Sequence, residues 1–282
     1  MFMINRFCVT RIFVALTTAI GTSALLAIPG WAFTLSSSEA TFTINNFSDL
    51  PLDVQTFQDA YTEAIAADGT VQSNADANAR FLTDQANQAN SQANGSSASI
   101  VSGNGNDYVG LAQSIAEVIG YRFAIASGET FSFDFTTSLN LKTSIDDPGV
   151  ENATAVGSLF LGLYDASDPA NLTLLDFLTI SSNLGTSGNR NDLAVNQSAG
   201  ITFSSNQTAL DTVLAGKPAS ASASVQGSLS RSFTSPTSLT LVKSSVNQAT
   251  AAAVPEPSSV LASLLGIGLV GIRFWRKPKM VK

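Results

Sequence analysis

The chain has 282 residues, a formal net charge of −7 at pH 7, one cysteine and no histidine. The lack of histidine excludes Ser-His-Asp and Cys-His catalysis and His-ligated zinc, and the single Cys8 leaves no intrachain disulfide and no Cys-ligated zinc site. Charge is unevenly held: residues 33–254 carry twenty carboxylates against seven Lys and Arg, which disfavours nucleic acid and anionic lipid as partners, because both require basic contacts.

Arg6 and Arg11 precede an apolar stretch over 12–28, and Pro29-Gly30-Trp31-Ala32 places small residues at the two positions that signal peptidase reads. This order predicts a secretory signal over 1–32 with cleavage after Ala32. Thr17, Thr18, Gly21, Thr22 and Ser23 dilute the run, which argues against a membrane-spanning helix here. Cys8 leaves with the signal, so the exported chain must hold its fold without covalent staples.

Residues 33–253 then read as one acidic β domain. Thr41, Phe42, Thr43 and Ile44 form a first short alternation; Asp68-Gly69 between apolar stretches is a hairpin signal, with Ala75, Ala77, Ala79 and Phe81 alternating after it. The Gln- and Asn-rich tract 84–94 reads as an exposed loop or a frayed helix. Over 110–120, Leu111, Ile115, Val118 and Ile119 fall on one helical face and predict a single short helix. Phe131, Phe133, Phe135, Leu139 and Leu141 share one parity, with Ser132, Asp134, Thr136, Ser138, Asn140 and Lys142 on the other, the pattern of a half-buried strand. Further strands are predicted at 159–164, 172–180, 201–203, 219–229 and 238–242, with Ser, Thr, Asn and Gly at the joints. The expected class is mainly β: one two-sheet sandwich of jelly-roll type with one short helix.

Candidate sites within this domain are few. Ser102-Gly103-Asn104-Gly105-Asn106-Asp107-Tyr108-Val109 follows most of a calcium-binding β-roll nonapeptide, but a solitary copy lacks the neighbouring turn that completes the oxygen cage. The turn 145–151 concentrates Asp146, Asp147 and Glu151, hard oxygen donors of the kind calcium takes. An ordinary Gly/Asn/Asp turn accounts for either segment. Paired-carboxylate hydrolysis needs no histidine and has Glu129, Asp134, Asp165 and Asp176 to draw on. Asp165 sits in a turn-like Tyr164-Asp165-Ala166-Ser167-Asp168-Pro169 and Asp134 on a polar strand face, so the expectation is a non-enzymatic protein. A carbohydrate-binding module is the alternative, although residues 33–254 contain no tryptophan for stacking sugars.

The chain closes on Val254-Pro255-Glu256-Pro257-Ser258-Ser259, a glycine-broken apolar run over 260–275, and the basic Arg276, Lys277, Lys279 and Lys282. As a helix the run reaches roughly 24 Å, a little short of a hydrocarbon core about 30 Å thick. The basic cluster is expected to stay cytoplasmic with the N-terminal bulk outside. The two prolines keep the motif extended and accessible at the membrane boundary. A plain C-terminal anchor would explain the helix and the basic end, but not the Pro-Glu-Pro. This tail resembles the PEP-CTERM sorting domain. The resemblance covers the last thirty or so residues and implies recognition of Pro255, Glu256 and Pro257 by a membrane-embedded exosortase, with Arg276 and Lys277 as the basic stop. It further implies cleavage near the motif and export to the cell surface or extracellular matrix, in association with exopolysaccharide or biofilm. Arg273 inside the apolar run departs from the usual pattern and shortens the helix.

Overall fold

The computed structural model describes residues 33–186, 191–212 and 218–254. The predicted signal with Ala32, and the sorting residues Pro255, Glu256, Pro257, Arg276 and Lys277, lie outside the described residues. Within them, ten strands follow in order: β1 Phe33–Asn45, β2 Asp53–Leu82, β3 Gln92–Ile125, β4 Thr130–Ser144, β5 Glu151–Asp165, β6 Thr173–Gly185, β7 Asp192–Gln197, β8 Ile201–Asp211, β9 Ala219–Ser232 and β10 Thr237–Ala253. They form one antiparallel sheet in the order β7-β6-β5-β10-β3-β1-β4-β9-β8, with β2 along the other edge of β3.

The ribbon of β2 and β3 organises this sheet. β3 is 34 residues long; β2 pairs along one of its edges, while β1 takes 93–104 and β10 takes 108–125 of the other. Between those two stretches the ribbon is irregular, with register shifts at Ala66/Asp68 and Asp68/Gly69. Gly69 and Gly105 face each other there with φ of +120° and +123°. A Cβ on Gly69 would lie 2.2 Å from the Asn104 carbonyl oxygen, so only glycine permits this crossing of backbones. The sheet folds back on itself: β1 touches β10 and β5, β4 touches β5 and β6, β9 touches β6 and β7, and the end strands β7 and β8 approach each other. The result is a single sheet nearly closed into a barrel.

This corrects the jelly-roll sandwich. Alternating strands announce two inward faces, but two sheets and one folded sheet share that pattern, and the bend in the long ribbon decides between them. Two local corrections follow, and one expectation is met. Asp68-Gly69 is a bulge in a continuing strand rather than a hairpin turn. The predicted helix over 110–120 is part of β3, with Gly110, Ala112, Ser114, Ala116, Val118 and Gly120 buried and Leu111, Gln113, Ile115, Glu117 and Ile119 on the outer face. The tract 84–94 is a turn with one short 3-10 segment at Gln88–Asn90, after which β3 begins. Asp84 shapes that turn by accepting the N–H groups of Ala86 and Asn87, both at 3.0 Å.

The interior has two parts. At one end Phe47, Phe81, Phe123, Phe131 and Phe133 stack and tilt with centroids 4.9–6.1 Å apart, joined by leucines of β4, β5, β6 and β10. The other end is filled by small residues, with Ala112, Ala249, Ala251 and Ala253 around Val101 and Tyr108. Next to them lies a buried polar seam. Asn247 donates to the Ser97 carbonyl and hydroxyl at 3.0 and 2.6 Å and accepts from Ser38 Oγ at 2.6 Å. Ser97 donates to Ser245 at 2.9 Å, and Ser99 lies 3.0 Å from Ser114. The hydroxyls and the amide of this seam are tolerated because they partner one another.

Candidate functional site

The loop between β4 and β5 holds three of the candidate carboxylates, Asp146, Asp147 and Glu151. It closes through its backbone, with Val150 and Glu151 N–H both donating to the Asp147 carbonyl. Its carboxylates are used locally: Asp147 Oδ1 accepts Gly149 N–H at 2.9 Å, and Glu151 Oε2 accepts the N–H groups of Asp146 and Asp147, both at 2.8 Å. Glu151 is buried and its Oε1 lies 3.4 Å from Tyr108 Oη, whose proton is aimed at Thr34 Oγ1, 2.6 Å away. The Tyr108 ring covers Gly103, where a Cβ would stand 2.0 Å from it. Burial, with the nearby Glu151 and Asp146 carboxylates, pushes the Tyr108 phenol up to about 12, while the hydrogen bond to Thr34 opposes the shift.

Of the four calcium candidates, Asp146, Asp147 and Glu151 therefore share one loop, and Asp107 lies on β3 beside Tyr108. Among the described residues no three carboxylates converge as a metal site. Asp147 Oδ1 and Glu151 Oε2 accept backbone N–H groups of the turn itself, which is the chemistry of a well-formed turn. Asp176, a hydrolase candidate, is buried and accepts from Ser198 Oγ, Gly200 N–H and Arg231 Nη1 at 2.7, 3.1 and 2.9 Å. It ties β6 to β9 across the near-closure of the sheet. Asp165 and Asp168 brace their own turn by accepting Ser167 and Ala170 N–H, and Asp134 accepts the Asn46 amide on the outer face.

Two features were not anticipated from sequence. Lys243, on β10, is 2% exposed; its Nζ has no hydrogen-bond partner among the described residues and stands 3.6 Å from the centre of the Phe42 ring. Desolvation by burial lowers the pKa of its ammonium well below the ordinary value. Its parity with Leu239, Leu241, Ser245, Asn247 and Ala249 was the available signal. The second is that the loop 145–151 holds both ends of the domain. Phe33 N–H donates to Asp146 Oδ2 at 3.0 Å, and Val254 N–H donates to the Val150 carbonyl at 3.0 Å.

The last strand thus ends at Ala253, two residues before Pro255 of the Pro-Glu-Pro sequence. Residues 253–277 match the PEP-CTERM protein-sorting motif. The PEP-CTERM match therefore begins on the last residue of β10, and Val254 alone separates that strand from Pro255 in the sequence. That motif marks the chain as an exosortase-targeted, exported protein associated with the surface or membrane. No curated protein and no solved structure matches the chain.

Proposed function

We propose that this is a non-catalytic structural protein of the extracellular layer, exported by its N-terminal signal and released from the membrane by exosortase cleavage near Pro255, Glu256 and Pro257. The observation that carries the reading is the abutment of fold and motif. β10 is fully paired to Ala253, and Val254 is pinned to Val150. Cleavage after that point leaves every described rung of the sheet in place. The helix-forming tail is then a transient tether with a cytoplasmic basic end, and the product is an acidic, disulfide-free barrel-like domain suited to an exopolysaccharide or biofilm matrix.

The test is the intact mass of the exported product. A C-terminus within 255–259 and an N-terminus at Phe33 support the reading; a product ending at Lys282 identifies a plain anchor instead. Replacing Pro255, Glu256 and Pro257 together by alanine is expected to leave the tail attached.

A second reading, a carbohydrate-binding module, is favoured by one surface. The register places Asn78, Ser96, Thr41, Ser138, Ser224 and Gln207 in one row across β2, β3, β1, β4, β9 and β8. Neighbouring rungs are about 4.8 Å apart, so the row is a ruler of neutral hydroxyls and amides. Retardation in affinity gels containing the host's neutral polysaccharide, lost on replacing Thr41, Asn78 and Gln207 by alanine, would establish it; unretarded migration removes it.

A further inference from the structure

We infer that Asp146 is the binding site for the chain's own processed N-terminus: signal cleavage turns the amide nitrogen of Phe33 into a primary ammonium that pairs with the Asp146 carboxylate. The inference rests on cleavage after Ala32. Hydrolysis adds water across the Ala32–Phe33 peptide bond; the new carboxylate leaves with residues 1–32 and the new amine stays on Phe33. That nitrogen already stands 3.0 Å from Asp146 Oδ2 as a neutral donor. Its position is fixed from both sides. Phe33 pairs with Asn104 and Leu35 with Ser144, and the intervening Thr34 is buried with its hydroxyl held by Tyr108 at 2.6 Å. The acceptor is fixed as well, because Asp146 N–H is bound by Glu151 Oε2 at 2.8 Å.

A free α-amine is protonated at pH 7, its ordinary pKa being about 7.7–8.0, so cleavage converts a neutral hydrogen bond into a charge-assisted one without moving an atom. The loop that receives it also holds Val254. One turn therefore secures β1 and β10 at the two points where processing cuts the chain, and neither cut frees a strand end to fray.

The exported protein, with its N-terminus read by intact mass, is compared before and after selective acetylation of the α-amine near neutral pH. Acetylation keeps an N–H donor and removes only the charge. Backbone amides of residues 34–38 are expected to exchange hydrogen about 2–5-fold faster in the acetylated form at low salt, the range an exposed ion pair produces. The difference should shrink as salt rises. Asp146→Asn abolishes it, and Asp146→Glu retains part of it. Equal exchange with and without the acetyl group, or a difference that survives Asp146→Asn, overturns the pairing while leaving the signal cleavage intact. An N-terminus other than Phe33 overturns it through the cleavage reading, which the mass separates from the exchange result.

Discussion

The two ends of the interior solve the same burial problem in opposite ways. Five phenylalanines fill one end, where ring contacts of 4.9–6.1 Å set the spacing. At the other end alanine, serine and glycine let the layers approach closely. A Cβ on Gly110 would meet Val101 at 2.4 Å, and one on Gly157 would meet Leu139 at 2.6 Å and Ser38 at 2.7 Å. The first end is held by the volume it buries and the second by the fit of small groups and by paired hydroxyls and amides. Each should thus fail to a different insult, truncation on one side and enlargement on the other.

The sharpest test opposes those insults. Phe133→Ala is expected to cost about 3–5 kcal/mol, because it removes a fully buried ring and leaves a cavity beside Phe47 and Phe131. Ala116→Leu is expected to cost about 1–3 kcal/mol by overpacking, since Ala116 is fully buried on the crowded side of β3. Both are read as shifts in the urea midpoint. If Ala116→Leu were neutral, the small-residue end would have room to spare and the contrast would fall. Asn247→Ala probes the seam itself. It leaves the buried Ser38 hydroxyl and the Ser97 carbonyl without their amide partner, which is expected to cost about 1–3 kcal/mol.

The same contrast decides what could be read from the sequence. Around Phe131, Phe133 and Phe135 the alternation is one of polarity, and strand, face and core position all follow from it. Over 110–120 the alternation is one of size. Gly110, Ala112, Ser114 and Ala116 point inward because nothing larger fits, while Leu111, Ile115 and Ile119 lie outside, so apolarity suggests a helix where the chain is extended. Asp68-Gly69 misled for a related reason. Positive φ at glycine serves a bulge as readily as a turn, and only the facing Gly105, far along the chain, distinguishes them. The PEP-CTERM tail was legible because it is a linear motif. The loop that holds Phe33 and Val254 was legible only as a cluster of carboxylates, since its partners are separated by more than a hundred residues.

Lys243 stands on the border between the two ends, beside the aromatic Phe42 and two residues from Ser245 in the seam, and its effects are the most diagnostic. Its buried amine has no hydrogen-bond partner among the described residues, so Lys243→Met, similar in length and apolar, is expected to stabilise the domain by about 1–3 kcal/mol near neutral pH. The pH dependence carries the sign. In the folded state the lysine pKa lies well below its ordinary 10.5; between the two values the unfolded chain binds the extra proton, so stability rises with pH. Tyr108 acts oppositely above that range, because its folded value of about 12 exceeds the ordinary 10.0. The folded chain keeps the phenol proton longer than the unfolded one, and this contribution, full below 10, is lost as pH climbs through 12. The urea midpoint of the wild-type domain should accordingly gain from Lys243 as pH approaches 10 and lose from Tyr108 beyond it. In Lys243→Met the difference from wild type should narrow steadily as pH rises toward 10.5, whereas Tyr108→Phe should flatten only the descending limb. A constant gap between Lys243→Met and wild type from pH 7 to 10 would mean that the amine is charged in the fold, with the Phe42 face and not neutralisation as its compensation.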